Sequence, residues 1–104
     1  MTTTHPDECQ TMTEVRAGVD ALDRELVALL DRRFAYMRAA ARIKLERTLV
    51  RDEARKTAVI AAARAEAKRL GAPAERIAAL WELLVESSIA YELERFDAKI
   101  QDGV

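Results

Sequence analysis

Two basic residues, Arg33 and Lys44, occupy positions where a helical pattern calls for apolar side chains. The pattern is a series of apolar residues at alternating steps of four and three, which is typical of one stripe along a helix. Its members are Val15, Val19, Leu22, Leu26 and Leu29. A charge taken out of water is costly unless it is paired. Either these two side chains extend to solvent, or an anion binds between them.

The spacing of the cations favours the second interpretation. Arg33 and Lys44 lie about three helical turns apart on nearly the same face, so their side chains could close on one small dianion. Either residue alone would be an ordinary surface cation. Arg16 lies about 25 Å before Arg33 and on another face. It could reach the same pocket only from the partner chain of an antiparallel dimer, and is otherwise a solvated arginine.

Polar residues in the later part of the chain are further candidates. Ser88 and Glu92 are spaced to share a helix face with Trp81 and Val85, where they would either line a pocket or form a polar seam. Arg55 lies one turn after Asp52. The two would be either ligand-binding residues or an exposed ion pair that contributes little.

Several kinds of catalysis are not supported by the sequence. The only histidine, His5, and the only cysteine, Cys9, both lie in a polar N-terminal segment. This disfavours a nucleophile–histidine pair and a soft-metal site. No glycine-rich nucleotide-binding motif is present. An enzymatic reaction here should need no covalent nucleophile, metal or other cofactor.

Composition indicates one small globular domain. The chain has 104 residues, of which 50% are hydrophobic and 34% charged, with a formal net charge of −1. That charge gives no basic field for nucleic acid. A single cysteine fits a reducing compartment, and we find neither a secretory signal nor an apolar run that could span a membrane. We therefore expect a cytoplasmic protein.

The local signals predict an all-α fold with three helices, one of them very long. Residues 1–10 are predicted to be a flexible tail before a helical domain over residues 11–100. A capping box of Thr11 and Glu14 should start the first helix, which continues to about Arg47. Such a helix is roughly 50 Å long, whereas a compact chain of this size has a radius of gyration near 13 Å. A second copy of the chain is the simplest cover for its stripe.

Two shorter segments complete the predicted fold. Asp52 should cap a second helix from about Glu53 to Leu70, and Gly71 should end it. A third helix should run from about Pro73, at its first position, to Lys99.

Three stretches of sequence carry a resemblance to a known family. They are "VRAGVDALDRELVALLDRRFAYMRAAARIK", "VRDEAR" and "LWELLVESSIAYE". From about Asp7 to Phe96 the chain resembles the all-α chorismate mutases, a family that includes isochorismate pyruvate lyase. Its N-terminal "PDECQTMTEVR" is especially similar to the lyase branch. The resemblance implies an intertwined homodimer of three-helix chains with two active sites and no cofactor.

The resemblance also implies roles for the candidate residues. A small dicarboxylate substrate would be bound by Arg33, Lys44, Asp52, Arg55, Ser88 and Glu92, with Arg16 donated across the dimer interface. Lys44, Glu92 and Arg33 would be catalytic. Chorismate rearranges to prephenate within one molecule, which requires positioning and a hydrogen-bond donor where negative charge builds on the ether oxygen. Lys44 would be that donor, and the arginines would clamp carboxylates.

Two positions depart from the family pattern. Glu92 stands where many bacterial members have glutamine, and only a protonated Glu92 can donate to the ether oxygen. Lys56 stands where the enteric mutase has a glutamate that contacts the ring hydroxyl, although Asp52 matches a second acid on that side. These departures leave the choice between chorismate and isochorismate open. We predict a chorismate mutase. The alternative is isochorismate pyruvate lyase, which forms salicylate and pyruvate. A non-catalytic helical dimerisation module is the alternative of another class.

Overall fold

The chain folds into helices joined by short connections. A computed structural model describes residues 3–102, and this part of the chain contains no β-strand. The three α-helices are α1 (Met12–Ile43), α2 (Glu53–Leu70) and α3 (Ala74–Asp102), with short 3₁₀ helices at Pro6–Glu8 and Arg47–Leu49. The predicted all-α class with three helices is confirmed. None of the described helices is long and apolar enough to cross a membrane.

The chain consists of two compact units, and the boundary between them lies within α1. The first unit ends at Ala35 and the second begins at Tyr36. In the N-terminal unit, the Thr11 hydroxyl accepts from the Glu14 N–H at 3.2 Å, and the Glu14 carboxylate accepts from the Thr11 N–H at 3.2 Å. The predicted capping box is therefore confirmed. The same carboxylate accepts from the Gln10 N–H and the Thr4 hydroxyl, and these bonds hold the pKa of Glu14 below its usual value.

The apolar stripe of α1 is exposed in this chain. Leu22, Leu26 and Leu29 are 56%, 54% and 56% exposed. Val15 and Val19 are exposed as well. A contiguous apolar surface of this kind is typical of a protein–protein contact.

The C-terminal unit contains a buried core. Its members come from the end of α1, the connection after it and α3; they are Ala41, Val50, Val85, Ile89 and Phe96. Val59, Ile60, Trp81 and Leu93 pack against this core. Ala67 of α2 and Ala78 of α3 are also buried, and such small residues allow helices to approach closely.

The ends of α2 are as predicted. The Asp52 carboxylate accepts from the Arg55 N–H at 3.0 Å, which satisfies a free donor in the first turn. Gly71 has a φ of 73°, a left-handed conformation that a side chain would disfavour, and its N–H bonds to the last carbonyls of the helix. Local capping chemistry is therefore sufficient to define this helix.

Three other helix boundaries differ from prediction. α1 ends at Ile43 rather than near Arg47 because Lys99, from α3, donates hydrogen bonds to carbonyls at that end. α3 begins at Ala74, just after Pro73, and continues beyond Lys99 to Asp102. The contact from Lys99 is long-range in sequence, so local patterns could not reveal it.

An ion-pair network joins α2 and the connection before it to α3. The Arg51 guanidinium lies 2.8 Å from the Glu86 carboxylate, and the Lys56 ammonium lies 2.8 Å from Glu86 and 2.7 Å from Glu82. Hydrogen bonds from Arg51, and then from Lys56, lower the pKa of Glu86 to about 2. Glu82 and Glu86 in turn raise the pKa of Lys56 to about 12.

We predict that this network stabilises the fold in a pH-dependent way. A carboxyl whose pKa is lowered on folding contributes fully above its ordinary value and loses that contribution as the pH falls towards the folded pKa. Glu86→Gln should therefore lower the urea midpoint at pH 7. The difference between the urea midpoints of the variant and the wild type should become smaller as the pH falls from about 5 to about 2.

Glu94→Gln is the matched control, because Glu94 is exposed on the same helix and forms no ion pair among the described residues. Urea denaturation at a fixed protein concentration measures all three proteins. A difference in urea midpoint between Glu86→Gln and wild type that stays constant across this pH range would contradict the pH-dependent contribution of Glu86.

Candidate functional site

Two of the sequence-predicted site residues meet in the C-terminal unit. The Lys44 Nζ lies 2.8 Å from the Glu92 Oε2, and the two side chains are 29% and 5% exposed. Lys44 is the first residue after α1, and its N–H still donates to the Ala40 carbonyl at 2.9 Å. Glu92 lies on the buried face of α3. A nearly buried carboxylate is thus compensated by a half-buried cation, as the cost of charge burial requires.

The geometry of this pair leaves hydrogen-bonding capacity unused. Although the Glu92 Oε2 is close to the ammonium, it has no hydrogen-bond partner among the described residues. Attraction between charges depends mainly on distance, so the ion pair holds without a well-directed hydrogen bond. The Lys44 Nζ makes only a long hydrogen bond of 3.5 Å, to the Val50 carbonyl. Lys44 therefore keeps N–H groups that can donate to a ligand, and the unsatisfied Glu92 oxygen is buried beside it.

Ser88 extends this polar surface by one helical turn. It is 3% exposed, and its hydroxyl donates to the Leu84 carbonyl at 2.7 Å. That bond fixes the direction of the hydroxyl within the helix. Ser88 and Glu92 therefore form a buried polar strip on α3, beside the apolar residue Val85.

Asp52 and Arg55 lie at the start of α2, where both are exposed. Asp52 uses one oxygen to cap the helix, through the backbone of Arg55 rather than its guanidinium. The guanidinium of Arg55 forms no ion pair within residues 3–101. It therefore keeps its full capacity to bind a carboxylate.

The remaining predicted residues, Arg16 and Arg33, belong to the N-terminal unit. Arg16 is exposed and Arg33 is half-buried. Their assignment to one site with Lys44 and Glu92 stays a prediction.

Two lysines have contacts that the sequence analysis did not assign. Lys56 directs its ammonium to Glu82 and Glu86 of α3, and its side chain is only 17% exposed. Lys99 donates to carbonyls at the end of α1. Helical spacing places Lys99 on the same face of α3 as Glu92 and Phe96, but it does not identify carbonyls of α1 as the partners of Lys99.

Comparison with known protein families matches residues 15–93 to the family described as chorismate mutase type II. The matched range covers more than half of the chain, and it contains every sequence-predicted site residue from Arg16 to Glu92. Among curated proteins, no match is found.

Proposed function

Because the chain belongs to the chorismate mutase type II family, we propose that it rearranges chorismate to prephenate, which feeds phenylalanine and tyrosine synthesis. The membership supports a mutase-type activity on a small molecule. The observation that carries the more specific proposal is the contact between Lys44 and Glu92. It provides a half-buried donor and a buried carboxyl group at one point, next to the core.

In the proposed reaction, Lys44 stabilises the negative charge that develops as the ether bond breaks. The ether C–O bond breaks as a C–C bond forms in the same molecule, and negative charge builds on the ether oxygen. Lys44 can direct an uncommitted N–H towards that oxygen. A preorganised donor in a partly desolvated site is worth on the order of 3 kcal/mol, or about 100-fold in rate.

Glu92 has a second task in this proposal. Without substrate, its carboxyl group lies 2.8 Å from the Lys44 ammonium. A bound dicarboxylate brings negative charge to the same place, and a nearby like charge favours the neutral form of a carboxyl group. Neutral Glu92 would then donate to the ether oxygen beside Lys44.

Arginines would hold the two substrate carboxylates. Arg55 has an exposed guanidinium at the start of α2, and Arg33 would act from α1. A guanidinium fork matches a carboxylate, so these residues fix the substrate in its reactive chair-like geometry. Ser88 and Asp52 complete the proposed set.

We further propose a homodimer in which Arg16 enters the site of the partner chain. The exposed stripe of α1 supports this proposal, since Leu22, Leu26 and Leu29 are more than half exposed in the single chain. A second copy would bury these leucines. Each active site would then contain residues of both chains.

One observation favours the alternative substrate, isochorismate. Lys56 stands where the enteric mutase has an acid, and its ammonium is engaged by Glu82 and Glu86. If that side of the pocket lacks a hydroxyl-binding acid, chorismate loses a contact that distinguishes it. The reaction would then be elimination of pyruvate from isochorismate to leave salicylate.

We predict that the purified protein converts chorismate to prephenate, as followed by the loss of chorismate absorbance and chromatographic identification of products. Salicylate formed from isochorismate, without prephenate from chorismate, would instead identify a lyase.

Arg33→Ala should abolish activity while the protein stays folded and dimeric. A non-catalytic dimerisation module would form neither product and would tolerate Arg33→Ala.

We predict that the neutral form of Glu92 is the working one. The kcat/KM of wild type should then fall as the pH rises and the carboxyl group of the free enzyme loses its proton. Glu92→Gln supplies a permanent donor of nearly the same shape, so it should keep activity and lose the alkaline fall. Glu92→Ala should be inactive at every pH. A Gln variant that retains the alkaline fall would exclude this role.

Shared active sites predict complementation between inactive chains. Arg16→Ala and Lys44→Ala should each have little activity alone. In a heterodimer of the two, one site carries both substitutions and the other carries neither, so mixing should restore activity. Native mass spectrometry confirms subunit exchange, and each variant incubated alone is the control. Exchange without recovery would contradict the donation of Arg16 across the interface.

A further inference from the structure

Lys99 makes an unusual set of contacts near the end of α3. Its Nζ donates to the carbonyl oxygens of Ala41 at 2.7 Å and Lys44 at 2.6 Å, with a longer contact of 3.4 Å to that of Arg42. It also lies 4.3 Å from the centre of the Phe96 ring. Within the described residues Lys99 has no carboxylate partner. Its charge is therefore directed to the backbone.

These bonds satisfy the carbonyl groups at the end of α1. The last four carbonyls of an α-helix have no intrahelical partner, and a cation near them also interacts favourably with the helix dipole. Ala40 accepts from the Lys44 N–H at 2.9 Å, whereas the carbonyls of Ala41 and Arg42 receive Lys99. Lys99 therefore caps the C-terminal end of α1.

The third carbonyl belongs to Lys44 itself, and this connects Lys99 to the candidate site. The backbone of Lys44 is held through its N–H by α1 and through its carbonyl by Lys99. Its ammonium meets Glu92, which lies about two turns before Lys99 on α3. Residues of α3 thus hold both the backbone carbonyl and the side-chain ammonium of Lys44.

We propose that Lys99 is a positioning residue for Lys44: it holds the backbone of Lys44 so that its ammonium stays at the reacting atoms. This assignment rests on the proposed function, in which Lys44 stabilises the ether oxygen. Lys99 is not itself a substrate ligand, because its ammonium is occupied by three backbone carbonyls. It acts only through Lys44.

Three variants separate positioning from general stabilisation. Lys99→Met keeps an unbranched side chain that can still pack on Phe96, but it removes the donors. Lys99→Arg keeps the charge and can still donate to carbonyls. Lys68→Met is the matched control, because Lys68 is an exposed lysine in the last turn of α2 and forms no ion pair in the described part of the chain.

The kcat and KM of each variant are measured with the substrate that the wild type converts, under conditions where circular dichroism shows full folding. Displacing a reacting group by about 1 Å costs on the order of 100-fold in rate. We expect Lys99→Met to lower kcat roughly 10- to 100-fold with KM changed less than about twofold. Lys99→Arg should recover most of this loss, and Lys68→Met should match wild type.

Amide hydrogen exchange at Lys44 gives a readout that does not depend on turnover. Exchange should be at least about tenfold faster in Lys99→Met than in wild type or Lys68→Met, because the turn that holds this N–H is released. Unchanged exchange, a loss confined to KM, or an arginine variant no better than methionine would each overturn the proposal. A wild type that converts neither substrate would overturn the proposed function, and exchange would still decide whether Lys99 holds Lys44.

Discussion

The buried carboxylate of Glu92 sets the main constraint on the C-terminal unit. A carboxylate that is 5% exposed needs a cation, and Lys44 supplies it from the end of α1. This requires α1 to stop where Lys44 can turn towards α3. The buried residues Ala41 and Val50 flank that turn on either side in sequence, so the charged pair and the hydrophobic core specify the same geometry.

Local chemistry made much of the helical structure predictable from the sequence. The capping box of Thr11 and Glu14, the cap at Asp52 and the stop at Gly71 each involve groups within a few residues of one another. The predicted end of α1 was about four residues too late. At the observed end, the free carbonyls bond to Lys99, which is remote in sequence. Capping signals reveal a helix end only when the capping group is nearby.

The candidate site was predictable to a smaller extent. Periodicity indicated that Lys44 was misplaced on an apolar stripe, but it did not identify a partner. The resemblance to the family placed Glu92 in the same pocket, and the structure brings these two side chains together. The engagement of Lys56 by Glu82 and Glu86 depends on how α2 packs against α3, which no spacing within either helix could indicate.

The exposed stripe of α1 also has a consequence for how the amount of protein controls its output. If a second copy covers Leu22, Leu26 and Leu29, association and site assembly become one equilibrium governed by mass action. Below the dissociation constant, halving the number of chains would remove more than half of the complete sites. The cell could then lower flux through this step steeply by modest changes in synthesis or turnover, without any effector molecule.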